Sequence, residues 1–177
     1  MKLLRIIIVS LMFTAHIAYA ESSGSGLEYK VKAVVLFNFT KYVTWPKNTF
    51  ASADQAINVC ILGESPFGDI FNSSNAPKEA QGRPLKVTSL PLSASKDDVA
   101  VCQILYWTEK SSAAAQSLLP LLEDRGILSV SDKKSSAALI SFVLVDEKVR
   151  FNIRYKAAQT LGFEMSSQLL KLATVED

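Results

Sequence analysis

The chain has 177 residues, 49% of them hydrophobic and 20% charged, with two cysteines and one histidine. That length suits one domain, the apolar fraction argues against disorder, and two cysteines are too few for a disulfide scaffold or a zinc cluster. A formal charge of +2 is far from the basic footprint of a nucleic-acid binder.

The N-terminus reads Met1-Lys2-Leu3-Leu4-Arg5, then an apolar run from Ile6 that ends Ala18-Tyr19-Ala20. A basic start, a short apolar stretch and a small-x-small end predict a cleaved secretory signal peptide over 1–20. The run is shorter than the about 20 apolar residues that a membrane span needs. No cysteine stands directly after the cleavage point, which disfavours a lipid-anchored lipoprotein, and no second long apolar run exists, so the mature chain is expected to be soluble. Residues 21–26 (ESSGSG) read as a flexible leader, and 27–175 as a single domain.

The signal segment holds Lys2, Arg5 and His16, so 17 bases, 17 acids and no histidine remain. Ser-His-Asp and Cys-His catalysis and histidine-based metal sites are thereby excluded. Balanced charge withdraws support for phosphate-backbone binding. No catalytic residue, metal or cofactor is implied. Export also bears on Cys60 and Cys102, because a pair in an oxidising compartment tends to close. A redox-active pair is the alternative, but there is no C-x-x-C. Sequence alone leaves open whether the two Cα atoms come within about 7 Å.

Leu27–Trp45 reads as a helix that Pro46 stops. Tyr29, Val31, Val34, Val35, Leu36, Phe37, Phe39, Tyr42, Val43 and Trp45 wrap most of its circumference, with Lys30, Lys32, Asn38, Thr40 and Lys41 interrupting. Such a helix is buried on more than one side. Either it packs on a sheet and also meets a second chain, or it is a deeply covered core helix. Ile57–Gly63 reads as a strand covered on both faces, with a short helix over Pro66–Asn72. Leu85–Leu90 and Val99–Trp107 are further strands. Ser111–Arg125 is a helix, stopped by Gly126 and kinked or split at Pro120. Ile127–Ser131 is the next strand. Leu139–Val145, a turn at Asp146-Glu147-Lys148, and the alternating Val149–Tyr155 form an antiparallel hairpin. A short helix to Leu161, a Gly162 break and a helix from Ser166 to Ala173 close the chain. The expected fold is an α/β three-layer sandwich. It has a mostly parallel central sheet, helices on both faces, and a C-terminal antiparallel hairpin plus helix.

Three motifs invite a chemical reading. Ser93-Ala94-Ser95-Lys96 matches S-x-x-K, but its companion motifs are absent. Gly63-Glu64-Ser65-Pro66-Phe67-Gly68 follows a strand and opens the expected short helix, at the carboxyl end of a strand where α/β folds place ligands. It reads as a tight turn, or as part of a ligand crevice formed by Glu64, Ser65, Phe67, Gly68, Ser131 and Asp132. The adjacent acids at Asp97-Asp98, Glu123-Asp124 and Asp146-Glu147 read as solvated surface.

The ordered set of motifs resembles the YfiR-type periplasmic regulators. The stretch Lys32–Pro46, aromatic-rich and ending in Trp-Pro, resembles the family's opening helix. Val59–Gly63 with Pro66-Phe67-Gly68, Gly82-Arg83-Pro84-Leu85, Cys102-Gln103-Ile104-Leu105 and Ser129-Val130-Ser131-Asp132 resemble its strand motifs. Phe142–Leu144 through Val149–Ile153 resembles its hairpin, and Gly162 with Ser166–Ala173 its C-terminal signature. The resemblance implies a periplasmic, non-enzymatic repressor of an inner-membrane signalling protein, best known as a diguanylate cyclase. It also implies release by an outer-membrane lipoprotein, and homodimerisation. Cys60 and Cys102 match the family's common cysteine pair. Two departures stand out. A second cysteine pair found in some members is missing, and Lys133–Ala138 replaces a Gly-Gly loop. Some members are tied to sensor kinases instead. The expected dimer or partner surface is Val34, Phe37, Tyr42, Trp45, Leu169 and Leu172. A periplasmic small-ligand-binding module is the alternative reading.

Overall fold

The computed structural model describes residues 23–176. The expected signal segment lies outside them. In chain order the elements are α1 (Ser23–Tyr42), β1 (Val43–Thr44), β2 (Ile57–Leu62), β3 (Glu79–Ala80), β4 (Arg83–Leu90), α2 (Lys96–Ala100), β5 (Ile104–Trp107) and α3 (Ser112–Arg125). They continue with β6 (Leu128–Ser131), β7 (Ile140–Val145), β8 (Lys148–Arg154), α4 (Tyr155–Thr160), β9 (Glu164–Met165), α5 (Ser167–Leu170) and β10 (Thr174–Glu176).

Eight strands form one sheet in the order β10-β8-β7-β6-β5-β2-β4-β3. The pairs β2–β4, β2–β5, β5–β6, β6–β7 and β8–β10 are parallel, while β7–β8 and β3–β4 are antiparallel. This is the expected mostly parallel sheet with its hairpin. The continuous apolar runs of β2, β5 and β6 fit a sheet covered on both faces. Ile57, Val59, Ile61, Tyr106, Val130 and Phe142 face one core, beneath α1. Leu62, Leu105, Trp107 and Ala138 face a second core, under α2 and α3. Phe39 of α1 anchors the first core between Phe142 and Phe151, at ring distances of 5.9 and 5.3 Å.

Several boundaries differ from those expected. α1 begins at Ser23, so the helix takes in residues 23–26. It ends at Tyr42 because the chain turns into β1, which pairs with β9. The Gln81 side chain donates to the carbonyls of Thr40 and Val43 at 2.8 Å each, satisfying the helix end. Residues 66–71 are turns, not a helix. The strand expected from Val99 starts only at Ile104, because Ser95 and Asp98 form a capping box that sets α2. Ser93–Lys96 is therefore the entry to a helix. α3 runs unbroken through Pro120. That residue and Gln116, whose carbonyl loses its partner, are both exposed, so water can take the place of the missing N–H. The C-terminal helix is short, and Thr174–Glu176 form an edge strand beside β8.

Cys60 and Cys102 form a disulfide with a Cα–Cα distance of 5.9 Å. Both are buried. The bond ties the middle of β2 to the segment entering β5.

Candidate functional site

Parallel strands end on one side of the sheet, and loops leaving them wall a crevice there. Its volume is about 470 Å³. Leu62 to Pro66 after β2, Thr108 to Ser111 after β5, and Asp132 and Lys133 after β6 line it, with Tyr29 of α1 and Leu92. Of the six residues expected there, Glu64, Ser65 and Asp132 line the crevice. Phe67 lies beneath it in the core, its ring 5.9 Å from Tyr29 and 4.9 Å from Tyr106. Gly68 is exposed and outside the lining. Ser131 is buried, and its hydroxyl donates to the Lys133 carbonyl at 2.7 Å.

Asp132 is the hub beneath the crevice. Its amide donates to the Trp107 carbonyl at 2.8 Å, tying the ends of β5 and β6. Its Oδ1 accepts from the Lys32 ammonium at 2.7 Å and from the Tyr106 hydroxyl at 2.5 Å. Its Oδ2 accepts from the Tyr29 hydroxyl at 3.1 Å. Lys32 is 2% exposed and Asp132 5%. The ammonium also donates to the Asp132 carbonyl at 3.2 Å and pairs with Glu28 at 2.5 Å. Its remaining surroundings are the rings of Tyr29 and Phe142, with centroids 5.0 and 5.7 Å away. Burial and then the Asp132 charge push the Tyr29 phenol up to about 12, and the same causes drive Tyr106 higher still. Both tyrosines therefore stay protonated and donate. At the rim, Lys133 pairs with Glu109 at 2.5 Å, and that bond holds its ammonium above the usual range.

The sequence reading missed Glu28, Tyr29, Lys32 and Tyr106. One signal was available for Lys32. It falls at the spacing of Leu36, Phe39 and Val43, on the face that meets the sheet. A lysine on an apolar helical stripe calls for a buried partner.

The residues expected to form an interface separate into two groups. Trp45 and Leu169 are interior. The Trp45 indole donates to the Gln103 carbonyl at 3.1 Å and packs on Phe50. They are core residues because β1 and α5 turn them inward. Phe37 and Tyr42 are half-buried, and Val34 and Leu172 are exposed. On α1, Leu27 (65% exposed), Val31 and Val34 (59%) form an apolar stripe facing away from the sheet.

A second cavity, about 450 Å³, lies at the other end of the sheet by Trp45, Phe50 and Arg83. Its guanidinium stacks on Phe50 and donates to the carbonyls of Ser52 and Gln55. Among the described residues, no group of three or more His, Cys, Asp or Glu could hold a metal ion, and no helix is long and apolar enough to cross a membrane.

A family model described as YfiR/HmsC-like matches residues 29–174, from Tyr29 of the crevice to the start of β10. The chain belongs to the YfiR/HmsC-like family. No curated protein matches the sequence. YfiR/HmsC-like proteins are periplasmic and regulatory rather than catalytic. The disulfide between Cys60 and Cys102 is consistent with a secreted member of that family.

Proposed function

We propose that this YfiR/HmsC-like protein is a periplasmic repressor. It binds the periplasmic sensory domain of an inner-membrane diguanylate cyclase and holds it inactive, lowering cyclic di-GMP. The observation that carries this reading is the outward stripe of Leu27, Val31 and Val34 on α1. Covering a large apolar side chain contributes roughly 1.5–3 kcal/mol relative to leaving it in water. The repressor would prefer one conformation of the sensor and shift its population toward the inactive form. An outer-membrane lipoprotein that sequesters the repressor would release the cyclase, and a homodimer is the proposed resting form.

Deletion of the gene tests the reading. Cyclic di-GMP and biofilm rise in the deletion strain and return to their former level on complementation with the intact gene. Unchanged cyclic di-GMP on deletion overturns the cyclase assignment.

A further inference from the structure

Tyr29 belongs both to the crevice and to the docking helix. It lines the crevice wall and lies between Leu27 and Val31 in the first turns of α1. Its hydroxyl donates to Oδ2 of Asp132, whose Oδ1 holds Lys32 and Tyr106. One carboxylate thus pins the N-terminal turns of α1 to the end of β6, and that carboxylate also lines the crevice. We propose that this contact is a latch worked from the crevice. A small organic cation entering it donates to Asp132 in place of the Tyr29 hydroxyl and frees the turns that carry Leu27 and Val31. The inference rests on the docking reading above and adds a release signal to it.

The charges select the occupant. Below the crevice, one ammonium, Lys32, faces two carboxylates, Glu28 and Asp132, which leaves a net negative charge. At the rim, Glu109 and Lys133 cancel each other. Glu64 also lines the wall and has no ion pair among the described residues. Lys110 opposes it; both side chains are exposed and screened by water, so they offset each other, and the net negative charge is that of the group formed by Lys32, Glu28 and Asp132. The Lys133 ammonium reports the same field. After Glu109, it is held above its usual range by Asp132 and Glu28. Leu62, Pro66 and Leu92 supply an apolar wall. An organic ammonium matches both parts, with N–H donors for the carboxylates and a carbon skeleton for that wall. The volume of about 470 Å³ is within the range of small-molecule sites.

The test uses a tethered charge. The chain's two cysteines are bonded to each other, so a cysteine introduced by Leu92→Cys is the sole free thiol. Leu92 is exposed, lines the crevice and takes no part in the latch. The folded variant is labelled with 2-aminoethyl, 2-sulfonatoethyl or methyl methanethiosulfonate. Hydrogen exchange is then followed across the domain. A hydrogen bond to a carboxylate is worth roughly tenfold or more in a local opening equilibrium. The aminoethyl adduct lowers protection of residues 27–33 by roughly tenfold and leaves α3 unchanged, while the other two adducts leave α1 unaffected. An aminoethyl adduct that leaves α1 as protected as before overturns the latch, as does loss of protection throughout the domain. Equal loosening by the sulfonatoethyl adduct overturns the cation assignment. Ser65→Cys offers a second attachment point if Leu92→Cys does not fold. No partner is present in this experiment, so its failure leaves the docking reading untouched. That reading fails separately, in the cyclic di-GMP assay.

Discussion

The ammonium of Lys32 lies 2.7 Å from the carboxylate of Asp132, a hundred positions further along the chain, with both side chains almost wholly out of water. Breaking a buried ion pair by removing one partner costs about 3–5 kcal/mol, because the other charge stays buried and unpaired. Lys32→Met is therefore expected to destabilise the domain strongly in urea or thermal unfolding. Adding Asp132→Asn removes the orphaned charge and recovers part of the loss. A double variant that is as unstable as the sum of the two single variants would argue against the pair.

The disulfide makes a second quantitative expectation. It closes a loop of 42 positions, for which the chain-entropy model gives roughly 4 kcal/mol. Cys60→Ala with Cys102→Ala should lower stability by about that amount. Both sulfurs are buried, so reductant should act only as fast as the domain opens. Thiol counting on the native, unreduced protein should find none, and two free thiols would refute the bond.

The parallel core was legible because both its faces are covered, and such strands must be continuously apolar. β2, β5 and β6 announce themselves in that way, and the hairpin does so by its period of two. Short elements were not legible, since their formation depends on distant contacts. β1 exists because β9 comes back to pair with it, and β10 because β8 offers an edge. Trp45 reads as an interface residue when the helix is carried through to position 45. Once α1 ends at Tyr42, the indole points inward to Gln103. Glu64, Ser65 and Asp132 could be named from strand ends alone. The Lys32 network could not, because its partner comes a hundred residues later.

Pro46 packs where two glycines leave room. A Cβ on Gly126 would lie 3.0 Å from Pro46 Cγ and 3.2 Å from Thr49 Oγ1, and the residue has φ +62°. On Gly162, with φ +84°, a Cβ would lie 3.4 Å from the Pro46 ring. Left-handed backbone at a non-glycine residue costs of order 1–3 kcal/mol. Both Gly126→Ala and Gly162→Ala should therefore destabilise, with Gly126→Ala the worse because its contact is tighter. Adding Pro46→Ala should offset part of the Gly126→Ala loss but little of the Gly162→Ala loss. Equal melting temperatures for the two alanine variants would contradict this ordering.

Alkaline stability should depend on Tyr29. Its folded value of about 12 lies above the ordinary 10, so the unfolded chain gives up this proton first as pH rises. Stability from this group is complete below pH 10 and is lost as pH climbs through 12. Tyr106, raised for the same reasons, acts in the same direction. Urea unfolding across this window should show falling stability, and Tyr29→Phe should make the decline shallower. A Tyr29→Phe profile parallel to the wild type would show that the phenol ionises alike in both states.

Surface and core residues of the first segment should part company under substitution. Val34 is exposed on α1 and Trp45 lies in the core, eleven positions later. Val34→Asp removes no packing contact of the core, and surface changes of this kind usually stay within about 0.5 kcal/mol. It does place a carboxylate at the C-terminal end of the stripe formed with Leu27 and Val31, where a partner would have to desolvate it. Repression should fail, so cyclic di-GMP rises to the level of the deletion strain while the melting temperature of the purified variant holds. Trp45→Ala should do the opposite first. It empties a large core volume at a cost of about 3–5 kcal/mol, and the protein should be lost through unfolding before binding is ever tested. Leu27→Asp provides an independent check on the same face. If Val34→Asp and Leu27→Asp both fold and both still repress, the partner does not use this side of α1.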